Sequence, residues 1–211
     1  MRAAYPEWDY KGRDVVAMAA TKLYGARQKP SRLSPYIFMT DPERVENIEA
    51  TAEQLPRGAA LFYRHFGKVG HRAQAKRLRQ LTFENSLQFL IGDDPELAIA
   101  TGADGVHFRR DVNVAAPKLW RKRCPAWIIS MAGIKSGPYK GDVSILDGLL
   151  VSSVFPSRSP SAGKPIGIEA LSEIACALPA PIFALGGVNK ETAPKLIGSG
   201  AAGFAGIGFG L

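Results

Sequence analysis

Short apolar runs recur along this chain. Each ends in glycine or polar residues, and a stretch with helical spacing usually follows. Tyr36 to Met39, Ala59 to Tyr63, Leu87 to Ile91 and Gly105 to Phe108 are too short for helices and read as buried strands. So do Ala126 to Ser130, Leu149 to Val154, Ile182 to Leu185 and Gly203 to Ile207. Between them, helices are predicted from Pro42 to about Leu55, His71 to Leu81, onward from Pro95, Ala115 to Arg121, Ile168 to Leu178, and onward from about Lys190. Asp41 is placed to cap the first of these, with Pro42 as its first residue, and Asn189 to cap the last. One of Asp93 and Asp94 is placed to cap the helix that starts at Pro95. Gly133, Gly137, Pro138 and Gly141 leave little room for a helix between Met131 and Ile145.

Eight short strands alternating with helices indicate parallel pairing. The first loop, Thr40-Asp41-Pro42, is not glycine-rich, which argues against a dinucleotide-binding sheet. Leu97 to Val106 also resembles Leu196 to Phe204, a helix end, Gly-Ala turn and strand repeated half a chain apart. The predicted fold is therefore α/β, a (β/α)8 TIM barrel. Because the chain stops at Leu211, the barrel is expected to lack its final helix. Residues 1–33 form an N-terminal helix and linker, with helical spacing from Asp14 to Tyr24 and prolines at 30 and 35; residues 34–211 form the barrel. The flank left open needs a cover, either the Asp14 to Tyr24 helix or another subunit, and a homodimer is expected on that ground.

Hydrophobic residues make up 46% of the chain, enough for a sizeable core. No apolar run is long enough to span a membrane, and the N-terminus lacks the apolar centre of a signal peptide, so a cytoplasmic location is expected. Cys124 and Cys176 are too few for a disulfide framework or a zinc site. The net charge of +8 favours acidic partners such as phosphorylated metabolites. The basic clusters within Lys22–Arg32, His71–Arg79 and Lys118–Arg123 lie on or beside predicted helices and read as solvated faces. No nucleic-acid motif accompanies them.

In such a barrel, chemistry sits at the C-terminal strand ends. Those positions carry Asp41, Arg64, His65, Asp93, Asp94, His107, Ser130 and the loop Phe155 to Pro165. Gly186, Gly187, Gly206, Ile207 and Gly208 close the last two strands, where backbone N–H groups hold phosphate in many barrels. Arg64, Arg158 and Lys164 are candidates to hold an anion. Asp93 with Asp94 or Asp111 is a candidate pair for a hard divalent cation.

These residues also carry a family resemblance. Leu90 to His107, Tyr36-Ile-Phe-Met-Thr-Asp41, Val154-Phe-Pro-Ser-Arg-Ser159 and Leu185-Gly-Gly-Val-Asn189 resemble segments of the thiamine phosphate synthase family. The resemblance implies a transferase that joins hydroxymethylpyrimidine diphosphate to thiazole phosphate and releases diphosphate, with Mg²⁺ on the diphosphate. It further implies that Arg64 binds diphosphate and that Asp93 binds the metal, with Asp111, one position before the family's second metal aspartate, as its candidate partner. Ser130, Ser157, Ser159 and Lys164 stand near the substrates, and Gly187 with Gly206 to Gly208 cradles the thiazole phosphate. The chain departs from the pattern at Phe66 and Pro160, where the family has lysines, at Gly92, where it has asparagine, and at Val112, where its second metal aspartate falls. Met131-Ala132 replaces the histidine of the related tautomerase branch. The alternative is a non-catalytic or repurposed barrel that binds a phosphorylated thiamine-related ligand.

Overall fold

A computed structural model describes residues 14–110, 115–133, 142–157, 159 and 162–207. Eight parallel strands close into a barrel in chain order. They are β1 (Tyr36–Met39), β2 (Ala60–Tyr63), β3 (Gln88–Gly92), β4 (Gly105–Phe108), β5 (Ile128–Ala132), β6 (Gly148–Ser152), β7 (Ile182–Leu185) and β8 (Gly203–Gly206). The helices are α1 (Val15–Ala26), α2 (Ile48–Glu53), α3 (His71–Glu84), α4 (Pro95–Thr101), α5 (Ala115–Arg123) and α6 (Gly167–Ala177). β8 closes on β1, with Ile37 opposite Ala205.

The strands read as continuous apolar runs because both of their faces are covered. Ile37, Met39, Ala60, Phe62 and Phe183 point into the barrel. Tyr36, Phe38, Leu61 and Tyr63 alternate with them and pack under the helices. β4 and β5 approach so closely that a Cβ on Gly105 would lie 1.9 Å from the Ile128 carbonyl oxygen, so only glycine fits there.

Helix α1 lies against β8 and the stretch before it, with Val16, Ala17, Ala19, Ala20 and Leu23 buried. The chain thus covers with its own helix the flank on which a homodimer was expected. Asp14 caps α1, its Oδ1 accepting from Val16 N–H at 2.9 Å. None of the helices among the described residues is long and apolar enough to cross a membrane.

Several boundaries differ from the sequence reading. Asp41 caps only a turn: its Oδ1 accepts from Glu43 N–H, and its carbonyl accepts from Arg44 and Val45. Asn47, extended at φ −127°, interrupts that turn and caps α2 through Ala50 N–H, so the helix starts at Ile48. The helix expected from Lys190 is a four-residue 3₁₀ turn, Ala193–Leu196. Pro194 removes an N–H there, and Gly198 and Gly200 at positive φ turn the chain away. β5 begins two residues later than expected, because Cys124 to Trp127 form a turn closed by Trp127 N–H on the Cys124 carbonyl. β6 ends at Ser152, short of the expected Val154.

The basic clusters find partners at the barrel's lower end. Asp147, just before β6, takes Arg32 Nε on Oδ1 at 2.7 Å and Arg121 Nη2 on Oδ2 at 2.6 Å. Its Oδ2 also accepts from Ile129 N–H at 2.8 Å, pinning β5 to β6. In α3, Arg79 grips both oxygens of Asp104, which also accepts from Phe89 N–H.

Candidate functional site

The loops after β1, β2, β6, β7 and β8 enclose a cavity of about 840 Å³ at the barrel's C-terminal mouth. Arg64, Arg44, Asp41, Ser157, Ser159 and Phe66 supply side chains to it, and Gly186, Gly187, Gly206 and Ile207 supply an adjoining wall, since β8 pairs with β1. A glycine lines a cavity only with backbone, so much of that wall is peptide groups. The Gly187 carbonyl is held by the Thr192 hydroxyl at 2.8 Å, and the Gly186 carbonyl by Phe155 N–H at 3.1 Å. Gly187 has φ +69°, and a Cβ there would meet the Pro156 carbonyl oxygen at 2.3 Å. Conformation and space both require glycine at this point. Asn189 Oδ1 accepts from Glu191 and Thr192 N–H and so stabilises the turn beneath the wall. Only a four-residue 3₁₀ turn follows β7, so no α-helix dipole points at this wall from that side.

Arg64 ends β2 and is fixed at its base. Its N–H donates to Thr40 Oγ1 and its Nε to the Thr40 carbonyl, each at 2.8 Å. The tip is different. Nη2 is buried and has no hydrogen-bond partner among the described residues; Asp41 Oδ2 stands 3.8 Å away. Burial pushes the Arg64 guanidinium below its ordinary range, Asp41 opposes that shift, and Arg44 adds to it. Arg64 is thus a held cation that lines the cavity and carries one buried, unmet donor.

Arg44 places its Nε 3.6 Å from Asp41 Oδ2 and donates from Nη2 to Ser159 Oγ at 3.3 Å. The helix expected from Pro42 to about Leu55 runs across this residue and gives it no role at the site. The signal was its spacing, three residues after a strand-end aspartate. Ser159 N–H donates to Ser157 Oγ at 3.2 Å, so the two serines come together at the cavity as the sequence suggested.

The other candidates sit elsewhere. Ser130 is fully buried on β5, its Oγ 3.0 Å from His107 Nδ1. His107 lies over the Phe62 ring at 4.9 Å, and burial, with Arg64 adding to it, pushes its pKa down to about 3, so the ring is neutral. Lys164 is exposed and outside the cavity lining. Arg158, Asp111 and Gly208 lie outside the described residues.

Asp93, at φ +59°, is committed to Arg109. Oδ1 accepts its N–H at 3.1 Å and Oδ2 stands 3.1 Å from its Nε. Asp94 caps α4 through Leu97 N–H and faces His65 Nε2 at 3.4 Å. Asp93 is thus paired with an arginine and Asp94 is spent on a cap, while Asp111, the second expected metal ligand, lies outside the described residues.

His65, His71 and Asp94 cluster beside the mouth, and the arrangement is a hydrogen-bonded stack. Gly67 N–H donates to His65 Nδ1 at 3.0 Å, which puts the ring proton on Nε2, facing Asp94. His71 Nδ1 lies 2.7 Å from the Lys68 carbonyl. The two rings stack, parallel to within 12° at 4.4 Å between centroids.

The thiamine monophosphate synthase family model matches residues 36–208, from β1 through the last turn. A thiamine-phosphate synthase from Archaeoglobus fulgidus is 34% identical over 184 residues, covering 83% of this chain and 86% of its own. One from Pyrococcus furiosus is 29% identical over 181 residues, covering 83% and 85%. Among solved structures, a thiamine phosphate pyrophosphorylase from Pyrococcus furiosus superposes with a TM-score of 0.64 at 25% identity, covering 82% of this chain and 86% of that one. The match spans every strand that builds the mouth, and the chain belongs to the thiamine monophosphate synthase family.

Proposed function

We propose that this protein is a thiamine phosphate synthase, joining hydroxymethylpyrimidine diphosphate to thiazole phosphate in the mouth cavity. The observation that carries the reading is the pairing of an unsatisfied Arg64 tip with a backbone wall at Gly186, Gly187, Gly206 and Ile207 in one cavity. Each feature suits one of two anions. The wall takes the compact thiazole phosphomonoester, and Arg64 takes the diphosphate.

In the reaction the methylene C–O bond breaks and its electron pair leaves with the diphosphate. The resulting pyrimidine methyl cation accepts the lone pair of the thiazole nitrogen, forming the C–N bond. Neither bond change needs a proton relay, so the neutral His107 and its Ser130 partner suit a supporting role in the barrel interior. The main demand is to stabilise negative charge as it gathers on the leaving oxygen, and a positioned arginine does that. No step of this scheme is routed through Mg²⁺.

The test is product formation. Purified protein with both substrates, in buffer containing Mg²⁺, should yield thiamine phosphate. Arg64→Ala should lower the rate by about 100-fold or more, as loss of one transition-state donor does elsewhere. Thiazole phosphate binding with no product from the native protein would instead select a repurposed barrel.

A further inference from the structure

Two guanidinium groups compete for one carboxylate oxygen at the cavity wall. Asp41 Oδ2 lies 3.8 Å from Arg64 Nη2 and 3.6 Å from Arg44 Nε, so neither donor is within hydrogen-bond distance of it. Like charges held together this way repel unless a further anion joins them. Arg44 is held in position from two sides. Its backbone N–H donates to the Asp41 carbonyl at 3.0 Å, and its Nη2 reaches the Ser159 hydroxyl on the loop after β6. Its side chain lines the cavity and is 36% exposed to solvent. Glu43, the other acid of the lining, lies on the same turn, with its N–H on Asp41 Oδ1.

We propose that Arg44 is a substrate-binding residue that contacts the diphosphate together with Arg64, the two arginines taking different phosphoryl groups on either side of Asp41. The inference rests on the reading that this cavity receives a diphosphate ester. An arginine pair suits such a ligand because each planar fork binds two phosphoryl oxygens at once. The Ser159 contact links the loops after β1 and β6, so the anion is met by a guanidinium already positioned across the mouth.

Calorimetric titration of inorganic pyrophosphate and of thiazole phosphate into the native protein, Arg44→Ala and Arg44→Lys tests this. The native protein should bind both. Arg44→Ala should weaken pyrophosphate at least tenfold and leave thiazole phosphate within twofold, which also shows that the variant is folded. Arg44→Lys should recover part of the loss. Undiminished pyrophosphate binding by Arg44→Ala would overturn the assignment and leave the reading of the cavity intact. Equal weakening of both ligands would also overturn it, because Arg44 would then only support the loop. A native protein that binds no pyrophosphate would remove the reading of the cavity and this inference together.

Discussion

Arg64 and His107 meet the same desolvated barrel interior with opposite outcomes. Arginine stays charged and is left with an unmet donor, whereas histidine gives up its proton. Folded His107 refuses a proton that the unfolded chain accepts at an ordinary pKa of 6.5. Its contribution to stability is therefore complete above that value and is lost as pH falls from 6.5 towards about 3. Glutamine in its place keeps an amide for Ser130 and carries no such proton. Urea unfolding should show the native protein losing about 2 kcal/mol more than His107→Gln between pH 7 and pH 5. Parallel pH profiles would contradict a neutral, buried His107. Arg64 and the glycine wall were legible in the sequence because strand-terminal positions project to one end of a barrel. Asp93 was less so: its aspartate fits either a metal or a neighbouring arginine, and only the fold brings Arg109 against it. Lys164 stood close in sequence to Ser159, but the loop leaves it exposed outside the cavity.

Among the elements, strands were easier to read than the pieces between them. An apolar run buried on both faces keeps its pattern whatever packs on it, and all eight strands were legible within a few residues. Helix starts depend on which of several polar residues wins the cap, and here Asn47 prevails over Asp41. That choice releases residues 42–46 as a loop and gives Arg44 its place at the cavity. The basic clusters looked alike in sequence, yet Arg32 and Arg121 converge on Asp147, from elements 115 and 26 residues away from it. Asp147 is 10% exposed, so Asp147→Ala should leave two guanidiniums without their carboxylate and Ile129 N–H without its acceptor, and cost about 3 kcal/mol in urea unfolding. Turnover per folded molecule should be unchanged, since Asp147 lies at the end of the barrel opposite the mouth. A loss below about 1 kcal/mol would show that the cluster adds no more than surface pairs do.

For the molecule as a whole, the two ends of the barrel are built differently. The lower end is closed by side-chain bonds: Gln88 joins Ser34 N–H to the Arg32 carbonyl, and Asp147 gathers its arginines. The upper end is held by loops around a cavity with cationic side chains on one wall and backbone on the other. Helix α1, read from the sequence only as one of two ways to cover the open flank, seals β8 and lets the barrel close within one chain. The central claim is that the two walls bind two different anions. A crystal structure of the protein soaked with thiamine phosphate and pyrophosphate tests it most directly. The account predicts the thiamine phosphate phosphoryl group against the backbone of Gly186, Gly187, Gly206 and Ile207, and pyrophosphate within hydrogen-bond distance of Arg64 Nη2. Density for either ligand outside this cavity, or an Arg64 tip still unpaired with both ligands bound, would contradict it.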